Sequence, residues 1–351
     1  MQRTDPAMIP ANRAPAQPLR WQQLWRDAVT DPHELLALLG LQAHAGTLLP
    51  AADTGFALRV PRGFVARMRR GDPADPLLLQ VLPQAAELGA VPGFTRDAVG
   101  DLEARAASGV LHKYEGRALL VATGSCAVHC RYCFRRHFPY AEETAAANRW
   151  EGALAHLRAD ASISEVLLSG GDPLSLATPK LAELGTALAA VPHVRRLRIH
   201  TRLPVVLPER VDAEFTDWLA ALPLQRVVVL HANHPNEVDE AVVGACRRLR
   251  AAGATLLNQA VLLRGVNDDA DALAALSERL FEAGVLPYYL HQLDRVAGAA
   301  HFEVPDARAL ALQEALRVRL PGYLVPRLVR EVAGAPSKRP LPPETPMEMR
   351  Q

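Results

Sequence analysis

Lysine is the charged residue this chain has least of: of 39 basic residues among 351, only Lys113, Lys180 and Lys338 are lysines. Any chemistry that needs a primary amine is confined to those positions. Net charge is also small, +1 at neutral pH. No broad field exists to recruit a polyanion, and no nucleic-acid partner is expected. Long apolar runs are missing as well. Although 49% of the residues are hydrophobic, no uninterrupted stretch nears the ~20 residues of a membrane span, so no membrane partner is expected. The opening MQRTDPAMIPANRAPAQPLR lacks the apolar core of a secretory signal. Cysteine is scarce, four in all, which excludes a disulfide-stapled secreted scaffold. What remains is a globular chain expected in the reducing cytoplasm, long enough for one barrel-sized unit or two smaller ones.

Three of the four cysteines crowd into one stretch, GSCAVHCRYCFRRHFPY, from Gly124 to Tyr140. Cys126, Cys130 and Cys133 are spaced C-x-x-x-C-x-x-C and follow directly on a strand-like run, Ala118–Thr123. Three thiolates on so short a loop can converge on one face of a small cluster. An iron–sulfur cluster normally takes four protein ligands, so one iron would stay open. An open iron is of use to an enzyme, because a small molecule with adjacent amino and carboxylate groups can chelate it, as the methionine end of S-adenosylmethionine could. The competing reading is zinc completed by His129 or His137, a Cys3His set, although structural zinc motifs usually bring their ligands in two separated pairs. Cys246 shares helical spacing with Val242, Val243 and Leu249 and reads as a small buried apolar residue.

In chain order, residues 1–17 are Pro-rich and are expected to form a disordered tail. Residues 18–105 read as a helical region. Apolar positions recur at helical spacing between Leu19 and Val29. A second helix has Asp31 as N-cap, Pro32 at the first helical position and Gly40 as terminator. Short proline-broken helices follow through Phe64–Met68 and GDPADPLLLQVLP. From about Arg117, apolar runs at Ala118–Thr123, Glu165–Ser169, Leu197–Thr201, Val227–His231, Leu256–Val261 and Tyr288–Leu290 alternate with amphipathic stretches such as Thr178–Ala190 and Glu237–Ala252. Runs apolar throughout are strands buried on both faces of a parallel sheet. The α/β pattern predicts a partial (β/α)6 TIM-like barrel over 106–320, with a C-terminal segment at 321–351. A site is expected at the C-terminal strand ends, which carry the Cys loop, Ser169-Gly170-Gly171-Asp172, His200-Thr201-Arg202, His231, Gln259 and Asp294. A Gly-Gly pair by itself needs only a tight βα turn to explain it.

The cysteine spacing is that of the radical SAM enzymes, which this chain resembles. The ordered series SGGDPL (169–174), TRLPVVLP (201–208), HPNE (234–237), NQAVLLRGVND (258–268), PYYLHQLD (287–294) and PGYLVPRLV (321–329) resembles the lysine 2,3-aminomutase family over roughly residues 60 to 345. Within that family the chain resembles the short form, the elongation factor P β-lysylation enzyme, and the resemblance implies that its β-lysine is made for attachment to that factor. The resemblance implies a [4Fe-4S] cluster on Cys126, Cys130 and Cys133. It implies that Gly170, Gly171 and Asp172 hold the amino group of S-adenosylmethionine, with Tyr132 near the adenine and His231 and Gln259 completing the site. It further implies pyridoxal 5'-phosphate on Lys338, with Lys113, Tyr114 and Arg117 around its phosphate and ring, two cations opposing a dianion. Arg135 would pair with the substrate carboxylate, and Asp294 and Glu331 would meet the distal ammonium of L-lysine, which leaves water only if carboxylates receive it.

The implied reaction moves the amino group of L-lysine from C2 to C3 after a 5′-deoxyadenosyl radical removes a hydrogen from C3. The implied partners are a reducing donor such as flavodoxin or ferredoxin and a ligase that modifies elongation factor P. Several positions depart from the longer family members. Glu331 stands for an aspartate, His291 for a tyrosine, and Asp268-Asp269 where some carry a zinc-ligating cysteine. The chain also ends at Gln351, before the C-terminal arm those members use in assembly. Read without the resemblance, Lys338 is a solvated tail residue, Arg135 one of three surface arginines with Arg131 and Arg136, and Asp294 and Glu331 ion-pair partners of Arg295 and Arg330. The alternatives are an aminomutase for another amino acid and a non-catalytic zinc or iron–sulfur protein that binds RNA or the translation factor.

Overall fold

The structure, a computed structural model, describes residues 20–145 and 150–341; the tail expected over 1–17 lies outside them. A single ten-stranded sheet follows chain order: β1 (Arg105–Ala107), β2 (Val110–Tyr114), β3 (Arg117–Thr123), β4 (Glu165–Gly170), β5 (Arg196–Thr201), β6 (Gln225–Leu230), β7 (Thr255–Val261), β8 (Leu286–His291), β9 (Arg327–Arg330) and β10 (Arg339–Pro340). β1, β2 and β3 are antiparallel, β3 to β9 run parallel, and β10 returns antiparallel on β9. β1 and β10 do not pair, so the sheet is open.

The apolar runs expected as strands are β3 to β8, and the expectation of six parallel strands is corrected by a seventh, β9, which lies in the segment set apart as C-terminal. Its sequence, RLVR, hides the signal. Only Leu328 and Val329 are buried, between arginines, and pairing with β8 supplies the rest. At the other edge, the β2–β3 hairpin turns on Gly116 at φ 75°, a left-handed conformation that glycine adopts without strain.

The parallel strands are buried as expected: Leu120, Val121 and Ala122 of β3 and Val166 of β4 have no exposure. Three of the helices between them start on aspartate caps. Asp212 accepts from Phe215 N at 2.9 Å, Asp239 from Val242 N at 2.9 Å and Asp269 from Ala272 N at 3.0 Å, each worth about 1 kcal/mol. Asp268 accepts from Gly265 N at 2.9 Å, so the Asp268-Asp269 pair forms a turn and a cap. Cys246 is buried in the helix Glu240–Ala251 with Val242 and Leu249. The helix Pro32–Leu38 is capped by Asp31, which accepts from His33 N at 2.9 Å, and ends at Gly40 with φ 72°. The N-terminal region is not separately cored. Leu35, Phe64 and Leu77 join the same buried cluster as Leu120, and Arg67 donates to the carbonyls of Glu237 at 2.5 Å and Val205 at 2.7 Å. Among the described residues no helix is long and apolar enough to cross a membrane.

Candidate active site

The C-terminal strand ends enclose a cavity of about 330 Å³. Every residue given a cofactor, metal or substrate role on sequence grounds lines it, from Lys113 on β2 to Lys338. A parallel sheet brings its loops to one edge whatever their separation in sequence, which is how Cys126 and Lys338 come to share one wall.

The Cys loop is tied to the N-terminal region. His129 N donates to Arg59 O at 2.9 Å and Arg131 N to Gln80 O at 2.8 Å. Arg131, Arg135 and Arg136 are not surface residues. Arg131 has no exposure and forms a two-pronged pair with Glu87, which also accepts from Arg136 Nη2 at 2.8 Å. Both guanidiniums stack on Phe56, at 4.9 and 4.7 Å. The three thiols are free and half-buried. Burial pushes the Cys126 thiol well up, with Asp172 and the other two thiols adding to the effect, and lifts Cys133 to about 11. The histidines available to a zinc site are engaged elsewhere, His129 Nδ1 with Ala57 O at 2.9 Å and His137 Nε2 with Ala297 O at 3.1 Å. Among the described residues no three His, Cys, Asp or Glu side chains gather on one ion position.

The Gly-Gly-Asp turn clamps the Cys loop. Gly170 sits at φ 115°, and a Cβ on Gly171 would lie 2.5 Å from Ser125 O and 2.8 Å from the carbonyl carbon of Gly124. Only glycine lets the two backbones meet there. Gly171→Ala is expected to cost about 1–3 kcal/mol by overpacking, read as a lower urea midpoint at unchanged slope. A wild-type midpoint would mean that this approach is not fixed in the folded protein. Asp172 is internally satisfied. Its carboxylate accepts from Leu174 N (3.0 Å), Thr201 Oγ1 (2.7 Å), Arg202 N (2.7 Å) and Leu203 N (3.0 Å). It therefore stitches the β4 loop to the end of β5, which leaves the glycine backbone as the part of this turn that can approach a ligand.

A charged network covers another part of the wall. Lys113 Nζ lies 2.6 Å from Asp101 Oδ1 and 3.7 Å from Glu331 Oε1. Arg135 donates from Nε to Asp101 Oδ2 at 2.6 Å and from Nη1 to Ser169 Oγ at 3.0 Å. Burial works against the Arg135 cation, but Asp101, with Tyr140 and Cys133 adding to it, outweighs burial and keeps the guanidinium charged. Glu331 accepts from Tyr114 OH at 2.6 Å and pairs with Lys338 Nζ, which also lies 5.9 Å from the Tyr289 ring centroid. Arg117 stacks on Tyr114 at 4.6 Å. Asp294 differs from Glu331. Among the described residues no hydrogen bond or ion pair reaches its carboxylate, because Arg295 pairs with Glu303 and Arg330 with Asp306. Burial pushes Asp294 up to about 7, with Lys338 opposing and Glu331 adding.

Three histidines stand between these groups. Burial holds His231 down to about 3 and pushes His200 and His291 well below the usual range, so all three are neutral near pH 7. The Nε2 atoms of His200 and His291 are buried without a partner. Tyr132 is buried, its OH accepting from Arg202 Nη1 at 2.7 Å and Asn233 Nδ2 at 2.7 Å, and its ring lies 5.8 Å from His231. Gln259 lines the cavity from the end of β7.

Sequence reasoning missed Asp101 and Glu87, lone acids in irregular segments that look solvated until the fold buries them. It noticed Arg202 only as part of a polar strand end. The signal available there was an arginine directly after a strand whose alternate residues, Leu197, Ile199 and Thr201, are buried, where solvation of the charge is lost.

No protein-family profile matches the chain. Curated relatives do. The L-lysine 2,3-aminomutase of Escherichia coli K12 is 50% identical over 92% of this chain and 94% of its own length. That of Haemophilus influenzae is 48% identical over 91% and 94%, and that of Clostridium subterminale 32% identical over 92% and 77%. Among solved structures, a radical SAM methyltransferase from Sphaerobacter thermophilus is similar over 63% of this chain and 68% of its own, with 19% identity and a TM-score of 0.45. On the identity and coverage of the curated relatives, the chain belongs to the L-lysine 2,3-aminomutase family and is an isomerase.

Proposed function

We propose that this protein is a radical SAM, pyridoxal phosphate-dependent L-lysine 2,3-aminomutase that makes β-lysine for β-lysylation of elongation factor P, acts in the cytoplasm and takes electrons from a flavodoxin or ferredoxin. One observation carries the reading: a single cavity walls in three free thiols, a lysine amine held by a carboxylate and an unpaired carboxyl. The open sheet is then a partial barrel of the radical SAM kind.

The donor set fits a cluster. A [4Fe-4S] cluster takes its thiolates on separate irons, so it asks for three thiols on one wall and not for convergence on a single ion. Gly170 and Gly171 let the β4 loop press directly on the backbone of the Cys loop, which fixes the wall that carries the thiols. The residues also fit pyridoxal phosphate. Lys338 is the lysine best placed to anchor it, since Lys180 is exposed on the helix Thr178–Ala189 and Lys113 is held by Asp101 with Glu331 beside it, whereas Lys338 has Glu331 as its single carboxylate partner. The unpartnered Nε2 atoms of His200 and His291 want a ligand oxygen or nitrogen. When bound, the cofactor supplies a conjugated nitrogen that lets an amino group migrate to a neighbouring radical carbon.

The chain's own part is placement. Arg135, oriented by Asp101, presents a fork to the α-carboxylate. Asp294 receives the distal ammonium, with Glu331 joining it once Lys338 is engaged elsewhere, while neutral His200 and His291 add no charge. Apolar residues of the wall, among them Leu119, Leu167 and Leu293, keep water from the radical. A cation-seeking carboxyl disfavours an acidic substrate, which would meet repulsion there.

The deciding experiment is anaerobic reconstitution with iron, sulfide and pyridoxal phosphate, followed by turnover of L-lysine or L-glutamate with S-adenosylmethionine and a reductant. β-Lysine is expected as the product. Zinc without iron, or a preference for glutamate, would overturn the reading. Borohydride treatment and peptide mapping should place the pyridoxyl label on Lys338, with Lys338→Ala losing it and Lys180→Ala keeping it. A label on Lys113 or Lys180 refutes the anchor assignment.

A further inference from the structure

Arg202 is the most heavily engaged cation in the cavity wall. It follows β5, is 6% exposed, and donates from Nη1 to Cys130 Sγ at 2.7 Å as well as to Tyr132 OH. Its Nη2 donates to Gln80 Oε1 at 2.7 Å and Glu237 Oε2 at 2.9 Å. The guanidinium also lies 5.6 Å from the ring centroids of both Phe64 and Tyr132. Glu237 is itself fixed, since its Oε1 accepts from Asn233 N at 2.9 Å, His234 N at 3.1 Å and Gln80 Nε2 at 3.1 Å. With Nη2 held by Gln80 and Glu237 and the guanidinium buried, the fork has nowhere to swing, so whatever occupies Cys130 is met by a fixed cation. Cys126 and Cys133 receive no such donor among the described residues.

We infer that Arg202 is a positioning residue that sets the reduction potential of the cluster through Cys130. The inference rests on the cluster assignment proposed above. Hydrogen bonds to ligating sulfur and nearby positive charge stabilise the form carrying the extra electron, and groups around the ligands tune a metal centre as strongly as the ligands themselves. In a dry cavity a full charge at hydrogen-bond distance acts with little screening. Glu237 opposes it from the far side of the guanidinium, so the arginine provides attraction at the sulfur while its charge at longer range is balanced. A cluster meant to donate one electron to a bound sulfonium, and to be refilled from outside, needs a potential within reach of its donor. Arg202 raises it, and Glu237 limits the rise.

The test uses the full chain, reconstituted anaerobically, with midpoint potentials read from redox titration of the reduced cluster's electron paramagnetic resonance signal. Removing only Arg202 would strand Glu237, so the variants are E237Q and the double variant R202Q/E237Q, in which two amides of similar shape can bond to each other. The double variant is expected to have a midpoint more negative than wild type by at least the 59 mV that marks a tenfold change in a one-electron equilibrium. E237Q is expected to move it the other way. A structural role alone does not produce shifts of opposite sign. If the variants assemble clusters with the wild-type midpoint, the inference is wrong while the cluster reading stands. If the double variant holds no cluster, E237Q decides, and an unshifted E237Q midpoint overturns the inference. If wild type itself assembles no cluster, the proposed function falls and this inference with it.

Discussion

Cys126→Ala, Cys130→Ala and Cys133→Ala should each yield a folded protein that assembles no [4Fe-4S] cluster and cleaves no S-adenosylmethionine, whereas Cys246→Ala should keep both. The contrast follows from what each sulfur touches. The three loop thiols are half-buried at the cavity wall, and their only side-chain hydrogen bond among the described residues is the one Cys130 accepts from Arg202. The loop itself is held by the Arg131–Glu87 pair and by backbone bonds to Arg59 and Gln80, so losing a thiol leaves its scaffold in place. A cluster with three protein ligands has no spare one, and its loss is complete rather than graded. Cys246 is packed at 0% exposure in the helix Glu240–Ala251. Truncating it removes one buried heavy atom at a cost of about 1 kcal/mol, with no effect on iron. Iron and sulfide content after anaerobic reconstitution, read beside circular dichroism, separates the cases. A loop variant with wild-type iron would remove that cysteine from the ligand set, and an iron-free Cys246→Ala would move the site elsewhere.

The Cys loop was legible in the sequence because ligand spacing is a local property. Three cysteines within eight residues, behind an apolar strand, need no tertiary information. Strands such as β3 and β4 were legible for a related reason: burial on both faces leaves an apolar run, Ala118–Ala122 in one and Val166–Leu168 in the other. Where a strand is short and only partly buried, the signal failed. β9 is two apolar residues between arginines, β1 is a three-residue edge strand with exposed arginine and alanine, and β2 is half-exposed over His112–Tyr114. The acids that organise the site were hidden for another reason. Asp101 and Glu87 are buried at 2% and 8% exposure by arginines that come from the Cys loop more than thirty residues away. No periodicity marks such a pair, because the partner and not the local chain determines the burial. Asp294 and Glu331 show the limit in reverse. Sequence grouped them as two acids for one ammonium, yet Glu331 holds Lys338, Tyr114 and Lys113 while Asp294 has no partner among the described residues. The fold, and not the local chain, decides which carboxylate is satisfied.

That difference sets the expected effect of Asp294→Asn on L-lysine turnover. A desolvated charge pair that loses one member costs on the order of 2–5 kcal/mol, or roughly 30-fold to a few thousand-fold in kcat/KM. Glu331→Gln should cost less for lysine, since its carboxylate already shares its charge among several neighbours. The pH dependence carries the sign. Asp294 has its carboxyl raised by burial from the ordinary 3.8 to about 7. The folded state therefore holds a proton that the unfolded chain has released between about pH 4 and 7, and stability falls as pH rises through that window. Lysine binding needs the ionised form, so below about pH 7 wild-type kcat/KM should drop about tenfold per unit. Asp294→Asn removes both dependences. The variant should be flat in kcat/KM across this window, much slower on lysine, and more stable than wild type at pH 8 in the absence of ligands. A carboxyl kept for structure would give the opposite stability result, because its loss would destabilise the fold at every pH. If Asp294→Asn turned over lysine at the wild-type rate, or kept the wild-type pH profile, the ammonium would have to be received elsewhere in the cavity, and Glu331 would be the next residue to test.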